Sequence, residues 1–149
     1  MTEIVPKQAE ALLSWQGLLK AFEAGHKLPL SDIKDMFLYR DTDTILNRGA
    51  WIDGLGSLIK AATVYPGNAA KGKPTIHGVV SLFGDATGEL EAILDFHLVT
   101  KWKTAGDSLF SASRLARKGA REFLLVGAGA VAKSMVEAYS SVFPEARFT

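Results

Sequence analysis

A glycine-rich turn between an apolar run and a helical segment constrains the fold more than any other feature of this sequence. Residues 122–126 form a short apolar run, Gly127, Ala128 and Gly129 come directly after it, and an Ala-, Val- and Met-rich segment occupies residues 130–142. An apolar run that meets glycines immediately before a helical segment predicts a strand, a tight turn and a helix, in that order.

The small residues of this turn match the dinucleotide-binding fingerprint, with alanine in its third small position. Gly127 would make the tight turn, Gly129 would let the backbone approach a pyrophosphate, and Ala132 would keep the helix close to the sheet. The first helical amides, at Ala130 and Val131, would face the anion. A plain tight turn between a strand and a helix would use the same residue types, and this structural alternative stays open.

The segment after the turn predicts only the beginning of a dinucleotide-binding unit. The fingerprint requires an acidic residue about 20 positions beyond the glycines, at the end of a second strand, to bind the ribose hydroxyl. Pro144 ends the helix, and residues 147–149 are expected to begin that second strand. The sequence therefore leaves NAD and NADP undecided, and we expect the 149-residue chain alone to be inactive.

Helical periodicity occurs upstream of the turn as well. Residues 8–24 predict an amphipathic helix, because their apolar side chains recur at spacings of three and four. Thr100 is the predicted N-cap of another helix. Residues 28–39 are ambiguous: Ser31 can cap a short helix there, but an early proline and the short length argue against it.

The stretch between residues 44 and 96 predicts strands, since β-branched and aromatic runs alternate there with Gly, Pro and Asp. Residues 57–65 and 76–83 are mostly apolar, which indicates strands covered on both faces. A glycine-rich turn then leads into residues 90–96 and predicts an antiparallel hairpin. The loop at residues 66–74 contains breakers and lysines, and both a ligand-binding loop and a plain solvated connection fit it.

Charge and composition exclude several classes of function. Seventeen Lys and Arg against sixteen Asp and Glu give a net charge of +1, which provides no excess positive charge to follow a nucleic-acid backbone. The absence of cysteine excludes disulfides, thiolate metal sites and a cysteine nucleophile, and favours a cytoplasmic protein. The sequence has neither a signal-peptide pattern nor an apolar run of membrane length, so we expect neither export nor membrane insertion.

Four segments, in this order and at this spacing, resemble the ornithine cyclodeaminase and mu-crystallin family. They are residues 54–68 (GLGSLIKAATVYPGN), 77–90 (HGVVSLFGDATGEL), 98–108 (LVTKWKTAGDS) and 120–132 (AREFLLVGAGAVA). The resemblance is more specific than the glycine turn, because the spacing between the segments also fits.

The resemblance implies an α/β fold that corresponds to the N-terminal half of such a protein. Residues 1–118 would form most of an α+β substrate-binding domain that also makes a homodimer, and residues 119–149 would begin a Rossmann-type dinucleotide-binding domain. It also implies NAD or NADP as the cofactor, and hydride transfer at the α-carbon of an amino acid through an imine. The catalytic aspartate of the family would lie beyond residue 149, so no catalytic residue is assigned.

Family members differ in the fate of the imine and the hydride after that transfer. An ornithine cyclodeaminase returns the hydride after ring closure and releases ammonia, and this outcome is our principal expectation. Alanine dehydrogenases and cyclic-ketimine reductases stop after one transfer, and mu-crystallins bind ligands without catalysis. These alternatives, and that of an inactive fragment, stay open because a fold does not determine a function.

The resemblance assigns Arg48 and Lys60 to the substrate carboxylate. A buried carboxylate needs positive partners, for which Arg offers a planar fork and Lys a point charge. Lys60 lies inside the apolar run of residues 58–62, where an ammonium without a partner would be costly. Arg48 lies in a less constrained stretch that would also suit an ordinary exposed arginine.

The segment Lys103-Thr104-Ala105-Gly106 stands where most relatives carry Arg-Thr-Ala-Ala. The resemblance implies that Lys103 contacts substrate and cofactor, with the charge kept and the bidentate fork lost. Thr104 would reach the cofactor phosphates, although a first-turn helix residue would look the same. His77 is expected to be structural rather than a proton relay, and no histidines or carboxylates have metal-ligand spacing, so no metal is expected.

Overall fold

Five segments between residues 32 and 95 pair with a short N-terminal strand to form one six-stranded sheet. Its strands are β1 Glu3–Val5, β2 Asp32–Arg40, β3 Asp43–Ile52, β4 Gly56–Val64, β5 Ile76–Phe83 and β6 Leu90–Asp95. In the computed structural model, which describes residues 1–149, they run in the order β1-β6-β5-β4-β3-β2. Neighbours from β2 to β6 are antiparallel, and β1 joins β6 in parallel. The predicted strands and the β5–β6 hairpin are confirmed.

The short helix considered for residues 28–39 does not form. Asp32–Arg40 is a strand that pairs along its whole length with β3, across a two-residue turn at Asp41 and Thr42. Asp41 adopts the left-handed backbone conformation, with a φ of 51°, that tight hairpin turns use. Pairing with β3 therefore outweighs the local capping signal at Ser31, because strand formation depends on neighbours more than on local propensity.

The two faces of the sheet differ in how they are covered. One face, termed the inner face, carries Ala62 and Val80, which are 4% and 1% exposed, and the ring of Phe96 lies against Gly78 there. Alternation along the strands assigns a set of exposed apolar side chains to the opposite, outer face: Met36, Leu38, Trp51, Ile59 and Val79. The chain itself thus covers the middle of β4 and β5 on one face, whereas the sequence predicted cover on both.

Two of the three α-helices begin where a side chain caps them. α1 Trp15–Gly25 starts after Ser14, whose hydroxyl accepts a hydrogen bond from Gly17 N at 3.1 Å. This cap separates α1 from a 3-10 segment at Lys7–Leu12, so the single helix predicted over residues 8–24 is divided in two.

α2 Phe96–Leu115 begins earlier than predicted. The carboxylate of Asp95 accepts a hydrogen bond from Leu98 N at 2.8 Å and so satisfies an amide of the first turn. The prediction of Thr100 as the N-cap is wrong, because Asp95 provides a stronger cap before it. The loop after β4 also contains a 3-10 segment, Pro66–Lys71.

The glycine turn lies between the predicted strand and helix. β7 Glu122–Phe123 precedes it, α3 Ala130–Ser140 comes after it, and β8 Arg147–Phe148 pairs with β7 in parallel. The pairing confirms the predicted start of a second strand near the C terminus. β7 is shorter than the predicted strand, although Leu125 N still donates a hydrogen bond to Thr149 O at 2.8 Å.

The chain divides into two compact units that do not follow the order of the sequence. The first contains Met1–Ala9 and Leu28–Val99, with the six-stranded sheet, and the second contains Glu10–Lys27 and Thr100–Thr149. In the second unit α1, α2 and α3 surround a core whose members are fully buried: Ala105, Leu109 and Ala138. The bounds of these two units differ from those of the predicted domains, residues 1–118 and 119–149. That division into domains stays a prediction. None of the helices combines the length and hydropathy needed to cross a bilayer.

Candidate active site

Arg48 and Lys60 face each other on neighbouring strands. Arg48 in β3 is the register partner of Lys60 in β4, and Asp35 in β2 is the partner of Arg48 on its other side. Val80 in β5 continues the row beyond Lys60. Residues in one row of a sheet project to the same side, so all four belong to the inner face. Asp35, Arg48 and Lys60 are termed the charged row.

Arg48 and Asp35 form a bidentate ion pair. Arg48 Nε donates to Asp35 Oδ1 at 2.7 Å, and Arg48 Nη2 donates to Asp35 Oδ2 at 2.6 Å. Hydrogen bonding to Arg48 lowers the pKa of Asp35, and the positive charges of Arg48 and Lys60 lower it further against the opposing effect of desolvation. The hydrogen bond with Asp35 in turn raises the pKa of Arg48. Both members of the pair therefore stay charged at neutral pH.

Lys60 is half-buried within the apolar strand β4. It shares the inner face with Ala62 and Val80, the most buried side chains of the sheet, and its charge acts on Asp35. The register thus brings the two predicted carboxylate ligands together on one face. Their binding of a substrate stays a prediction.

Asp35 was not predicted as a site residue, because residues 28–39 give no clear strand signal. Asp35 and Arg48 are equidistant from the β2–β3 turn, and so are Arg40 and Asp43, whose side chains form a second ion pair at 2.9 Å. Opposite charges placed symmetrically about a turn stabilise cross-strand pairing. This symmetry of opposite charges is the sequence signal that could have predicted both the hairpin and the contact of Asp35 with Arg48.

Lys103 and Thr104 lie in α2, within the second unit. Lys103 Nζ contacts Asp107 Oδ2 at 2.8 Å, one helical turn along, and the Lys103 side chain is 63% exposed. Thr104 is half-buried and lies inside the helix rather than in its first turn, since α2 begins at Phe96. The roles of both residues toward substrate and cofactor stay predictions.

Packing explains the glycine that replaces the usual second alanine of this motif. A Cβ at Gly106 would overlap the side chain of Leu18 and would lie 3.0 Å from Phe22 Cε2, both on α1. Gly106 therefore lets α1 and α2 approach closely. The departure from the family pattern at this position reflects helix packing.

The glycine turn has the geometry that an anion-binding helix N terminus requires. Gly127 has a φ of 114°, which residues with side chains rarely adopt. Gly129 is the N-cap of α3; no side chain bonds to the cap, and a Cβ at Gly129 would meet nothing within 4 Å. The amides of Ala130 and Val131 have no carbonyl partner within the helix. Because no neighbouring atom fills the space at Gly129, a pyrophosphate fits this turn.

Asp85 and His77 also have defined neighbours in the structure. Asp85 accepts hydrogen bonds from Gly54 N at 3.1 Å and from Trp51 Nε1 at 3.4 Å, and so ties the turn after β5 to the turn after β3. His77 lies near His97, with ring centroids 6.3 Å apart. No group of three or more His, Cys, Asp or Glu side chains is arranged to hold a metal ion.

Residues 54–148 match the sequence profile of the ornithine cyclodeaminase/mu-crystallin family. The chain belongs to this family. Over 136 residues it is 48% identical to a Δ1-pyrroline-2-carboxylate reductase of Paracoccus denitrificans (strain Pd 1222), and the alignment covers 91% of the chain and 43% of that relative. The chain thus spans less than half the length of the relative that it matches.

Solved structures of related proteins have the same fold. An archaeal alanine dehydrogenase dimer with bound NAD superposes with a TM-score of 0.86 at 26% identity, over 99% of this chain and 47% of that one. Thermococcus litoralis Δ1-pyrroline-2-carboxylate reductase, in complex with NADH and L-proline, gives a TM-score of 0.80 at 19% identity over the same shares. These similarities confirm the predicted α/β fold.

Proposed function

We propose that the protein reduces a cyclic α-imino acid of the Δ1-pyrroline-2-carboxylate type with NADH or NADPH. The observation that carries this proposal is the register pairing of Arg48 with Lys60, in a chain 48% identical to a Δ1-pyrroline-2-carboxylate reductase. The pairing provides a planar donor and a point charge on one half-buried face of a sheet, which suits an α-carboxylate.

Arg48 and Lys60 would hold the substrate carboxylate and so fix the orientation of the adjacent C=N bond. When bound, the nicotinamide cofactor supplies the hydride. The imine carbon gains the hydride, the ring nitrogen gains a proton, and the C=N double bond becomes a single bond in the product amino acid. The chain's own contribution to this step is charge balance at the carboxylate and orientation of the ring.

The glycine turn is the proposed site for the cofactor pyrophosphate. The positive φ of Gly127, the open space at Gly129 and the first-turn amides at Ala130 and Val131 support this assignment. The family motif also assigns Thr104 to the cofactor and Lys103 to the substrate, and both assignments stay predictions. The choice between NAD and NADP would depend on the residue that binds the ribose.

An ornithine cyclodeaminase, the principal expectation from the sequence, shares the hydride-transfer step and differs in returning the hydride. Similarity to a reductase over 91% of the chain favours reduction without return. The cyclodeaminase, the alanine dehydrogenase and the non-catalytic ligand binder stay predictions within the same family.

We also propose that the protein forms a homodimer through the outer face of the sheet. Several large apolar side chains are exposed there, among them Trp51 at 57% and Ile59 at 43%. Contiguous exposed apolar surface on a sheet is typical of an interface between chains. The solved archaeal alanine dehydrogenase that superposes on 99% of this chain is a dimer.

Nicotinamide absorbance tests the proposed activity in the protein as its gene encodes it. Δ1-Pyrroline-2-carboxylate, and pyruvate with ammonia, are each offered with NADH and with NADPH. L-Ornithine is offered with the oxidised cofactors, NAD+ and NADP+. We expect one cofactor oxidised for each molecule of Δ1-pyrroline-2-carboxylate consumed. Release of ammonia from L-ornithine without net change of the cofactor would favour the cyclodeaminase, and absence of turnover with every substrate would contradict the proposal.

A further inference from the structure

We propose that Asp35 is a positioning residue that holds Arg48 by one edge of its guanidinium and restricts the site to substrates with a single carboxylate. The inference rests on the proposed function, since it concerns the residue that selects among carboxylate ligands of that site. Asp35 does not touch the reacting atoms in this account; it acts through Arg48.

The ion pair with Asp35 occupies only some of the N–H donors of the Arg48 guanidinium. Asp35 occupies the edge formed by Nε and Nη2, with donor–acceptor distances of 2.7 and 2.6 Å. A guanidinium has five N–H donors in a rigid plane, so the edge formed by Nη1 and the second N–H of Nη2 stays available to another carboxylate. One arginine can therefore bind Asp35 along one edge and a substrate along the other.

A bidentate partner also fixes the orientation of the second edge. The Arg48 side chain is 43% exposed, and an exposed arginine would otherwise lose considerable rotamer freedom when a ligand binds. Short charge-assisted hydrogen bonds from two nitrogens hold the plane of the guanidinium in place before the ligand arrives. Asp35 thereby removes part of the entropic cost of binding.

The same contact places a fixed negative charge beside the cation that receives the substrate. A ligand with one carboxylate is attracted by the available edge of Arg48 and by Lys60. A second carboxylate on the ligand would be repelled by Asp35, which lies in the same row of the inner face. Repulsion of this kind excludes unwanted ligands without adding contacts to the preferred one. Asp35 would therefore select against dicarboxylic imino acids.

Replacement of Asp35 by Asn tests the inference, because Asn keeps the shape and removes the charge. With Δ1-pyrroline-2-carboxylate we expect KM to rise about tenfold while kcat changes by less than about threefold, since the lost interaction orients a binding group. The ratio of kcat/KM for a monocarboxylic to that for a dicarboxylic imino acid should fall by about tenfold or more. Asp35→Glu keeps the carboxylate, so its KM and its substrate preference should stay within about threefold of the wild-type values.

Asp43→Asn is the matched control. It removes the carboxylate of the Arg40–Asp43 pair, whose distance is 2.9 Å and which joins the same two strands on the outer face. We expect KM and substrate preference of this variant to match those of the wild type. A similar change in both Asn variants would mean a general effect of hairpin stability and would overturn the inference.

Two further outcomes would also overturn it. An unchanged KM and preference in Asp35→Asn would mean that Asp35 does not act on the ligand, and a lower KM would mean that Asp35 competes with the substrate for Arg48.

Titration calorimetry with L-proline and L-aspartate separates this inference from the proposed function. If the wild-type protein binds L-proline more tightly than L-aspartate and Asp35→Asn loses this preference, the role of Asp35 is supported even if no imino acid is reduced. If the wild-type protein binds neither amino acid, both the role of Asp35 and the proposed function are overturned.

Discussion

At the level of single residues, the contact between Asp35 and Arg48 is a short, bidentate ion pair on the inner face. It joins two neighbouring strands, and both nitrogens of one guanidinium edge take part in it. Arg48 lowers the pKa of Asp35 through these hydrogen bonds. A carboxylate whose pKa is lower in the folded than in the unfolded protein stabilises the fold only while it is ionised.

The pH dependence of stability tests this contact. The stabilisation by Asp35 should be fully present above the pKa of an unfolded aspartate, about 3.9, and should be lost as the pH falls through the lower pKa of the folded state. Scanning calorimetry of the wild type and of Asp35→Asn should therefore give a difference in Tm that is constant from about pH 6 to 8 and shrinks below about pH 4. A difference that stays constant down to about pH 2.5 would contradict the account.

At the level of secondary structure, glycines determine where elements can approach one another. Gly78 in β5 lies under the ring of Phe96, the first residue of α2, and both belong to the first unit. An added Cβ at Gly78 would lie 2.5 Å from Ala61 O and 2.5 Å from Phe96 Cδ2. The carbonyl belongs to the backbone of a central strand, which could shift only by disturbing its pairing, and the ring would have to move as well.

Gly78→Ala should consequently destabilise the protein. The overpacking should cost about 1–3 kcal/mol in the free energy of unfolding. Gly67→Ala is the control, because a Cβ at Gly67 would meet nothing within 4 Å, and its effect should stay within about 0.5 kcal/mol. Urea denaturation measures both variants, and equal stability of the two would contradict the packing described for the inner face.

The sequence predicts some elements better than others for physical reasons. The glycine turn, α3, and the strands β4 to β6 follow local patterns of periodicity and breakers, so they were predictable. β2 was not, because its residues carry mixed signals and its strand state depends on pairing with β3. Asp35 was missed for the same reason: its partner Arg48 is found only once the register of that hairpin is known. The start of α2 depended on one side chain, that of Asp95.

At the level of the whole molecule, the outer face of the sheet exposes large apolar side chains that the chain does not cover itself. Its exposed apolar side chains come from four strands: Met36, Leu38, Trp51, Ile59 and Val79. The sequence predicted that β4 and β5 are covered on both faces. A second copy of the protein on the outer face would reconcile that prediction with the structure.

Ile59→Asp should weaken the proposed homodimer, because it puts a charge at the centre of the apolar face. Sedimentation velocity should give a dimer for the wild type and a shift toward monomer for the variant, with the dissociation constant raised about 100-fold or more. Leu115→Asp is the control, since Leu115 is 83% exposed at the end of α2, outside the sheet. A wild-type monomer, or an Ile59→Asp variant that dimerises as well as the control, would contradict an interface on this face.

The proposed function depends on Lys60 and Arg48 holding the substrate carboxylate on the inner face of the sheet. The most direct measurement is kcat/KM for Δ1-pyrroline-2-carboxylate in Lys60→Ala, with Lys34→Ala as the control on the outer face, where Lys34 is 85% exposed. We expect a loss of about 100-fold or more for Lys60→Ala, because about 2.7 kcal/mol of charge-assisted binding would be removed, and a change below about twofold for Lys34→Ala. A folded Lys60→Ala variant that keeps kcat/KM within about threefold of the wild type would contradict this role of Lys60.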